Sequence, residues 1–199
     1  MVSVASEVVK PLSIRRLWST ERELYSEHLK RLDAESRHSR FTGTVSDTFI
    51  DAYVSTSFGY DMIVYGAFDE AQLIAVGELR LFYGSWPLAA ETAFSVEKKY
   101  QDHGLGDMLL NRVIIAAQNR GVQKLDMYCL GTNTKMRHLA QKHRATLDIF
   151  DGDTAAHIEP ASFNPVIFLN EVLEETSYVW ERMGRWPFLS RRDDPTDRR

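Results

Sequence analysis

The chain has 199 residues, of which 44% are hydrophobic and 26% are charged, and its formal net charge at pH 7 is −4. These values are those of one ordinary globular domain with a sizeable core, and they exclude disordered and fibrous chains. The slightly acidic balance gives no overall signal for nucleic-acid binding. No apolar run is long enough to span a membrane, and residues 1–10 lack the apolar centre of a signal peptide.

The single cysteine, Cys129, lies in an apolar, strand-like stretch, so disulfide bonds are not part of the fold. A chain without disulfides suits a reducing compartment, and we expect a cytoplasmic protein. The six histidines form no metal-binding pattern, since neither His138 nor His143 belongs to a His-Glu-x-x-His motif. We therefore expect no metal.

Apolar periodicity and turn residues predict a succession of strands and helices. Thr20 and Glu23 form the pattern of a capping box at the start of the first helix. Residues 33–43 are polar and predict a loop or a broken helix, while Asn164 and Pro165 are typical of the start of a long helix. The predicted strands are residues 12–18, 62–68, 73–83, 90–96, 122–130, 145–150 and 155–158. The predicted helices are residues 20–32, a short helix after Ser46 or Asp47, and residues 105–120, 134–143 and 165–184.

Consecutive strands over residues 62–96 form an antiparallel meander, and residues 90–130 form a strand–helix–strand unit with parallel strands. This order predicts a mixed α/β fold, in which helices flank a largely antiparallel central sheet, with one added C-terminal helix. We expect a single domain over residues 12–184 and a flexible tail over residues 185–199. The apolar stripe of the last helix could form a homodimer interface or pack on the sheet.

The most informative stretch runs from Ala90 to Gly121 and contains a strand, a tight loop with Gly104 and Gly106, and an amphipathic helix. The first N–H groups of a helix have no partner within it, and they carry the positive end of the helix dipole. Glycines also let an anion approach the main chain closely. The loop therefore predicts a phosphate or diphosphate site, although a plain strand-to-helix turn fits the same residues.

Two common nucleotide motifs do not fit this loop. The Rossmann pattern needs a third glycine where this chain has Leu109, and a P-loop needs Gly-Lys-Ser/Thr after its second glycine. What fits is Gln-x-x-Gly-x-Gly, formed by Gln101, Gly104 and Gly106. This resembles the acyl-CoA signature Gln/Arg-x-x-Gly-x-Gly/Ala of the GNAT superfamily of N-acetyltransferases. The predicted order of elements over residues 12–160 is also similar to that of the GNAT fold.

Acetyl transfer to a primary amine needs a base, because such an amine is charged at neutral pH, with a pKa of roughly 10.4 for lysine. Glu91 is the one carboxylate within the predicted strand before the loop. The stretch Ala90–Val96 is similar to the Ala-Glu-x-Ala/Val-x-x-Val context in which GNAT enzymes often carry a glutamate base. The resemblance implies that Glu91 is the catalytic base, whereas a solvated glutamate at a strand end is the structural alternative.

The resemblance also implies a set of residues that bind acetyl-CoA as co-substrate. In the GNAT family this strand splays from the next one, so the main chain of Phe94, Ser95 and Val96 would hold the pantetheine arm and the thioester carbonyl. Asn133 matches an asparagine that lies against the CoA arm, or it simply caps the next helix. The loop residues that would cradle the diphosphate are Gln101, His103, Gly104, Leu105, Gly106 and Asp107.

Two positions depart from the family pattern. Ala140 stands where many members have a tyrosine as general acid, and Arg144-Ala145 stands where many have Gly-Phe. The first leaves the thiolate without an obvious proton donor, although thiolate is a tolerable leaving group because a thiol pKa is roughly 8.5. Tyr128 is a reserve candidate for the donor.

We therefore expect an acetyl-CoA-dependent N-acetyltransferase that works by direct attack in a ternary complex. The acceptor would be a small-molecule amine or a protein lysine, and Leu29–Phe41 is similar to a segment of the GNAT domains of bacterial protein-lysine acetyltransferases. No nucleic-acid or membrane partner is expected. Two alternatives stay open: a GNAT-like module that binds acyl-CoA or a partner without catalysis, and a different nucleotide-binding protein.

Overall fold

The structure is a computed structural model of the chain, and it describes residues 12–150 and 152–173. The strands are β1 (Ser13–Leu17), β2 (Met62–Asp69), β3 (Gln72–Phe82), β4 (Ala89–Val96), β5 (Lys124–Leu130), β6 (Thr146–Phe150) and β7 (Asp153–Ile158). The helices are α1 (Arg22–Arg31), α2 (Ala34–Phe41), α3 (Asp47–Thr56), α4 (Leu105–Asn119) and α5 (Thr134–Lys142). The chain divides into two compact units, Met1–Phe163 and Asn164–Arg199.

In the described part of the first unit, the strands form one sheet in the order β1-β2-β3-β4-β5-β7-β6. Neighbouring strands are antiparallel except β4 and β5, which are parallel and joined through α4. Local sequence favours this arrangement, because two-residue turns suffice for hairpins whereas parallel strands need a crossover helix. The predicted mixed, largely antiparallel sheet is confirmed.

Helices cover both faces of this sheet. On one face, α4 and α5 contribute Leu109, Val113 and Ala140 to a core cluster. On the other, which we call the α1–α3 face, Tyr25 and Ile50 belong to a second cluster. Because successive side chains of a strand point to opposite faces, β4 alternates between these two environments.

Residues 34–41 form a helix, where the sequence leaves a loop or a broken helix open. Asp33 caps this helix by accepting hydrogen bonds from the N–H groups of Glu35 (3.1 Å) and Ser36 (3.2 Å). Arg37 then reaches out of the helix and donates to the carboxylate of Asp47 at 2.8 Å. Long-range contacts thus complete a short helix whose polar sequence gives little apolar periodicity.

The predicted capping box at Thr20 is wrong. Residues Ser19–Glu21 form a short 3₁₀ turn, and α1 begins at Arg22. The carboxylate of Glu21 is buried, and it accepts hydrogen bonds from the guanidinium of Arg15 (2.9 and 3.0 Å) and from the N–H of Trp18 (3.1 Å). This tertiary ion pair holds the chain in a tighter turn before the helix begins.

In the second unit, a helix is described over residues 165–173. The side chain of Asn164 accepts a hydrogen bond from the N–H of Val166 at 2.9 Å, so the predicted cap is confirmed. The rest of the predicted helix, its apolar stripe beyond residue 173 and the predicted tail lie outside the described residues. The single domain over residues 12–184 stays a prediction. Among residues 12–150 and 152–173, none of the helices combines the length and the hydrophobicity that a membrane span needs.

A buried carboxylate joins α2 and α3 to the sheet. Glu78 of β3 is 4% exposed, and its two oxygens accept hydrogen bonds from Arg40 Nη2 (2.7 Å) and from the hydroxyl of Tyr53 (2.5 Å). Burial raises the pKa of Glu78 to about 8, with the guanidinium of Arg80 opposing the rise and the carboxylate of Glu91 adding to it. The folded protein therefore keeps a proton on Glu78 at pH values where a free glutamate has lost it.

We expect Glu78 to make the protein less stable as the pH rises from 4.5, the ordinary pKa of a glutamate, to about 8, its pKa in the folded protein. In this window the unfolded chain has released a proton that the folded chain retains. The free energy of unfolding then falls by at most about 1.4 kcal/mol per pH unit. Glu78→Gln should flatten this slope in urea unfolding curves, and the exposed Glu35→Gln should not. A slope unchanged in Glu78→Gln would contradict the assignment.

Candidate functional site

The parallel strands β4 and β5 pair over three residues and then diverge. The registered pairs are Ala89–Lys124, Ala90–Leu125 and Glu91–Asp126. Beyond them, β4 continues along β3 to Val96, and β5 continues along β7 to Leu130. Within the described residues, the edge of β4 after Glu91 therefore has no strand partner on the β5 side. Main-chain N–H and C=O groups on such an edge can hydrogen-bond an extended ligand.

The side chains along this open edge are engaged elsewhere. Phe94 is buried against α4, and its ring packs so closely over Gly77 that a Cβ there would lie 2.9 Å from Phe94 Cε1. Ser95 is buried on the α1–α3 face, with its Oγ 2.9 Å from His28 Nε2. Val96 packs partly into the core. On its open edge this stretch can offer a ligand main-chain groups rather than side chains, and the predicted contacts of Phe94, Ser95 and Val96 with CoA stay a prediction.

Glu91 lies at the point where the two strands part. It is half-buried on the α1–α3 face, opposite Arg80 of β3 and Asp126 of β5. Its carboxylate forms no hydrogen bond or ion pair with the rest of the described chain. The carboxylate of Glu91 is therefore available to accept a proton, and it lies beside the open edge of β4.

The predicted phosphate loop follows directly after β4. Gly104 takes a left-handed conformation (φ 80°) and is the N-cap of α4, which begins at Leu105. A Cβ at Gly104 would meet no atom within 4 Å, so the space beside this residue is open. Because Gly104 has no side chain to cap the helix, the first N–H groups of α4 remain available to an anion.

The polar side chains of the loop tie it to neighbouring helices. Gln101 Nε2 donates to Ser36 Oγ of α2 (3.0 Å) and to the carbonyl of Val96 (3.1 Å). His103 Nδ1 lies 2.6 Å from the carbonyl of Gln101, and Lys135 of α5 pairs with Asp102 at 2.7 Å. These contacts hold the shape of the loop, while Leu105 is buried in the core below it.

Asp107, in the first turn of α4, is also held by α5. Its carboxylate pairs with Lys142 and with His143, each at 2.8 Å, and these hydrogen bonds lower the pKa of Asp107. Gly106 lies beneath Leu139, whose Cδ2 would be 3.5 Å from an added Cβ. The side chain of Asp107 thus serves the packing of α4 on α5, and its N–H is the group that remains for a ligand.

Asn133 is the N-cap of α5. Its side-chain oxygen accepts a hydrogen bond from the N–H of Met136 at 3.0 Å, which is the capping role left open by the sequence. Ala140, at the position of the missing tyrosine, is completely buried. The proposed contact between Asn133 and CoA stays a prediction.

Sequence reasoning missed a buried polar network behind β4. His28 of α1 is fully buried, and its Nδ1 lies 3.4 Å from Glu97, which also pairs with Arg31 at 2.9 Å. Burial lowers the pKa of His28, so the ring stays neutral at pH 7. Burial raises the pKa of Glu97, but hydrogen bonds from His28 and Arg31 outweigh it and the net shift is downward. A helical apolar face that contains a histidine was the available signal, but its partners are 67 and 69 residues away.

Sequence reasoning also missed the polar residues beside Glu91. Asp126 is 7% exposed, and its Oδ1 lies 2.5 Å from His157 Nδ1 on β7. A charged residue within an apolar strand run was the available signal. No group of three or more His, Cys, Asp and Glu side chains among residues 12–150 and 152–173 could hold a metal ion.

Comparison with solved structures identifies similar folds. The GNAT domain of S. lividans PAT has a TM-score of 0.65 at 20% identity, covering 74% of this chain and 90% of that one. The PaiA N-acetyltransferase from Thermoplasma acidophilum, in complex with coenzyme A, has a TM-score of 0.57 at 18% identity, with 75% and 99% covered. YncA from Salmonella typhimurium, with its cofactor acetyl-CoA, has a TM-score of 0.57 at 17% identity, with 78% and 97% covered. At these identities the likeness concerns the fold, and it confirms the predicted fold class.

Comparison with curated protein sequences found no match. The sequence model described as the Acetyltransferase (GNAT) family matches residues 17–144, which include β4, the glycine loop and α4. This match covers more than half of the chain, and it confirms the predicted class of acetyl-CoA-dependent acetyltransferases. The chain belongs to the GNAT family of acetyltransferases.

Proposed function

We propose that this protein transfers an acetyl group from acetyl-CoA to a primary amine by direct attack within a ternary complex. One observation carries the proposal: an unpaired carboxylate, Glu91, stands where β4 leaves β5, between the open strand edge and the α1–α3 face. An acyl donor along that edge and an amine on that face would meet beside Glu91. The cytoplasmic location inferred from the lone cysteine stays a prediction.

The open edge and the glycine loop suit the two ends of one long ligand. Bound acetyl-CoA would supply the thioester that is attacked. The main chain of Phe94, Ser95 and Val96 would hydrogen-bond the pantetheine arm and hold the thioester carbonyl, where N–H groups stabilise a developing oxyanion. The N–H groups at the start of α4 would hold the diphosphate, which lies at the positive end of the helix dipole.

Glu91 would prepare the amine for attack. A charged ammonium has no lone pair, so a proton must leave before nitrogen can bond to the thioester carbon. A half-buried carboxylate without a cation partner is free to accept that proton. The neighbouring Arg80 and Asp126 lie on either side of it, one on each adjacent strand.

A protein lysine or a small-molecule amine would serve as acceptor. The segment Leu29–Phe41, which resembles part of the protein-lysine acetyltransferases, forms the end of α1 and all of α2. Ser36 touches the glycine loop through Gln101, and Arg40 reaches Glu78 beneath the α1–α3 face. The likeness between this segment and those enzymes favours protein lysine, and the small amines form the second arm of the test below.

We expect Glu91→Gln to lower kcat by roughly 10²- to 10⁴-fold at neutral pH, because the amide keeps the shape but cannot accept a proton. The KM for acetyl-CoA should stay close to that of the wild type. Steady-state rates of thiol release from acetyl-CoA would measure both values. Glu23→Gln, an exposed change on α1, is the matched control. An unchanged kcat in Glu91→Gln would contradict the role of Glu91 as the catalytic base.

We expect Gly106→Val to raise the KM for acetyl-CoA by roughly ten- to a hundredfold. The branched side chain would keep the diphosphate away from one N–H group at the start of α4, and losing one hydrogen bond to a charged group costs about 1.5–3 kcal/mol. The value of kcat should change much less. Gly106→Ala is the matched control, since its Cβ would make an ordinary contact with Leu139 Cδ2 at 3.5 Å. Equal KM values for the wild type and Gly106→Val would mean that the diphosphate lies elsewhere.

An acceptor panel tests the reaction itself. Acetyl-CoA is mixed with a lysine-containing peptide, with free amino acids or with small aliphatic amines, and acceptor-dependent thiol release is followed together with the mass of the acceptor. We expect at least one class to gain an acetyl group. Calorimetric binding of acetyl-CoA without any product would instead favour the non-catalytic module, which the absence of a tyrosine at Ala140 motivates.

A further inference from the structure

A row of polar side chains crosses the sheet at Glu91. Strand register places Arg80, Glu91, Asp126 and His157 opposite one another on β3, β4, β5 and β7. Registered partners on neighbouring strands present their side chains on the same face, about 4.8 Å apart at the main chain. The row therefore lies on the α1–α3 face, with Glu91 next to Asp126 and Asp126 next to His157.

The part of this row beyond Glu91 is hydrogen-bonded. Asp126 Oδ1 lies 2.5 Å from His157 Nδ1, and His157 Nε2 lies 3.2 Å from Asp148 Oδ2 on β6. Exposure rises along the same line: the side chain of Asp126 is 10% exposed, that of His157 is 22% exposed and that of Asp148 is 66% exposed. The three groups thus lead from a buried position beside Glu91 to the solvent.

The proposed reaction needs such a path. A protonated amine and acetyl-CoA become an amide, a free thiol and one proton, so each turnover must deliver one proton to the solvent. While both substrates are bound, they would cover Glu91 and keep water away from it. A proton taken up by Glu91 then needs a route that does not pass through the substrates.

We propose that Asp126 and His157 relay the proton from Glu91 to the solvent at Asp148. This inference rests on the proposed function. Glu91 passes its proton to Asp126 directly or through one bridging water. Asp126 passes it to His157 at Nδ1, and His157 releases the proton on Nε2 to Asp148 or to water. This transfer leaves the ring of His157 with its proton on Nδ1. The ring, whose side chain is 22% exposed, regains its starting tautomer by giving that proton to water and taking one from water on Nε2. The number of protons on the relay is therefore the same before and after each turnover.

Other charged groups lie around the row. Lys124 Nζ lies 3.3 Å from Asp126 Oδ2. Because the side chain of Lys124 is half exposed, it balances the negative charge of Asp126 without covering the carboxylate. On the other side of Glu91, Arg80 contacts the sulfur of Met62 at 3.6 Å, and Glu78 is engaged by Arg40 and Tyr53. Asp126 is therefore the carboxylate positioned to exchange a proton with Glu91.

The test compares His157→Gln with the wild type, using acetyl-CoA and the fastest acceptor of the panel above. We expect kcat to fall by roughly tenfold or more, with an unchanged KM for acetyl-CoA, because proton transfer and not donor binding is impaired. Free imidazole in the buffer should restore part of the rate to His157→Gln and leave the wild type unchanged. In the double variant Glu91→Gln/His157→Gln, the second change should cost nothing further, since both act on one proton.

Controls separate the relay from a structural role and from the proposed function. His38→Gln, an exposed change on α2, should keep the wild-type kcat. Asp148→Asn, at the exposed end, should lower kcat less than His157→Gln does and serves as the second variant if His157→Gln fails to fold.

If Glu91→Gln lowers kcat but neither His157→Gln nor Asp148→Asn does, the relay is wrong and Glu91 remains the proposed base. If imidazole restores no activity to His157→Gln, and the losses of kcat in Glu91→Gln and His157→Gln add up in the double variant, the relay is wrong. His157 then has only a structural role in the sheet. If Glu91→Gln leaves kcat unchanged, Glu91 is not the base and that part of the proposed function is wrong.

Discussion

The whole arrangement depends on the early end of one strand pairing. β4 and β5 share three registered pairs and then separate, although each continues for several residues along its other neighbour. Pairing is lost on one side only, so the sheet stays continuous while an edge opens inside it. Isolated strand edges are hydrogen-bonding surfaces that proteins usually cover. Here the same surface lies between the glycine loop and the unpaired carboxylate of Glu91.

An open edge inside a sheet must be held in shape by something other than a partner strand. On the α1–α3 face this support is polar. Ser95 meets the buried ring of His28, and Glu97, just beyond β4, is paired with Arg31. The neutral state of His28 follows from its burial, and the carboxylate of Glu97 is stabilised by the same two partners. Buried polar groups that are fully hydrogen-bonded specify one geometry, because leaving any of them unpaired is costly.

Helix α2 connects the two ends of the site. Its first turn touches the glycine loop through Ser36 and Gln101, and its last turn reaches Glu78, close to Glu91 on the same face. The segment that resembles protein-lysine acetyltransferases is thus the segment that spans this distance. Its charged residues are mostly engaged in contacts within the fold, which explains why a polar stretch forms an ordered helix.

The amino-acid sequence by itself determined the order of strands and helices, the parallel pair, the glycine loop and the position of Glu91. These features are local, because apolar periodicity, glycines and strand alternation act over a few residues. The sequence could not determine α2, the turn before α1, or the partners of His28, Glu78 and Asp126. Each of these depends on ion pairs or hydrogen bonds to residues distant in the chain, such as His157, which lies 31 positions from Asp126. Only the tertiary structure brings such groups within hydrogen-bonding distance, and only there does a charged residue in an apolar strand acquire a definite role.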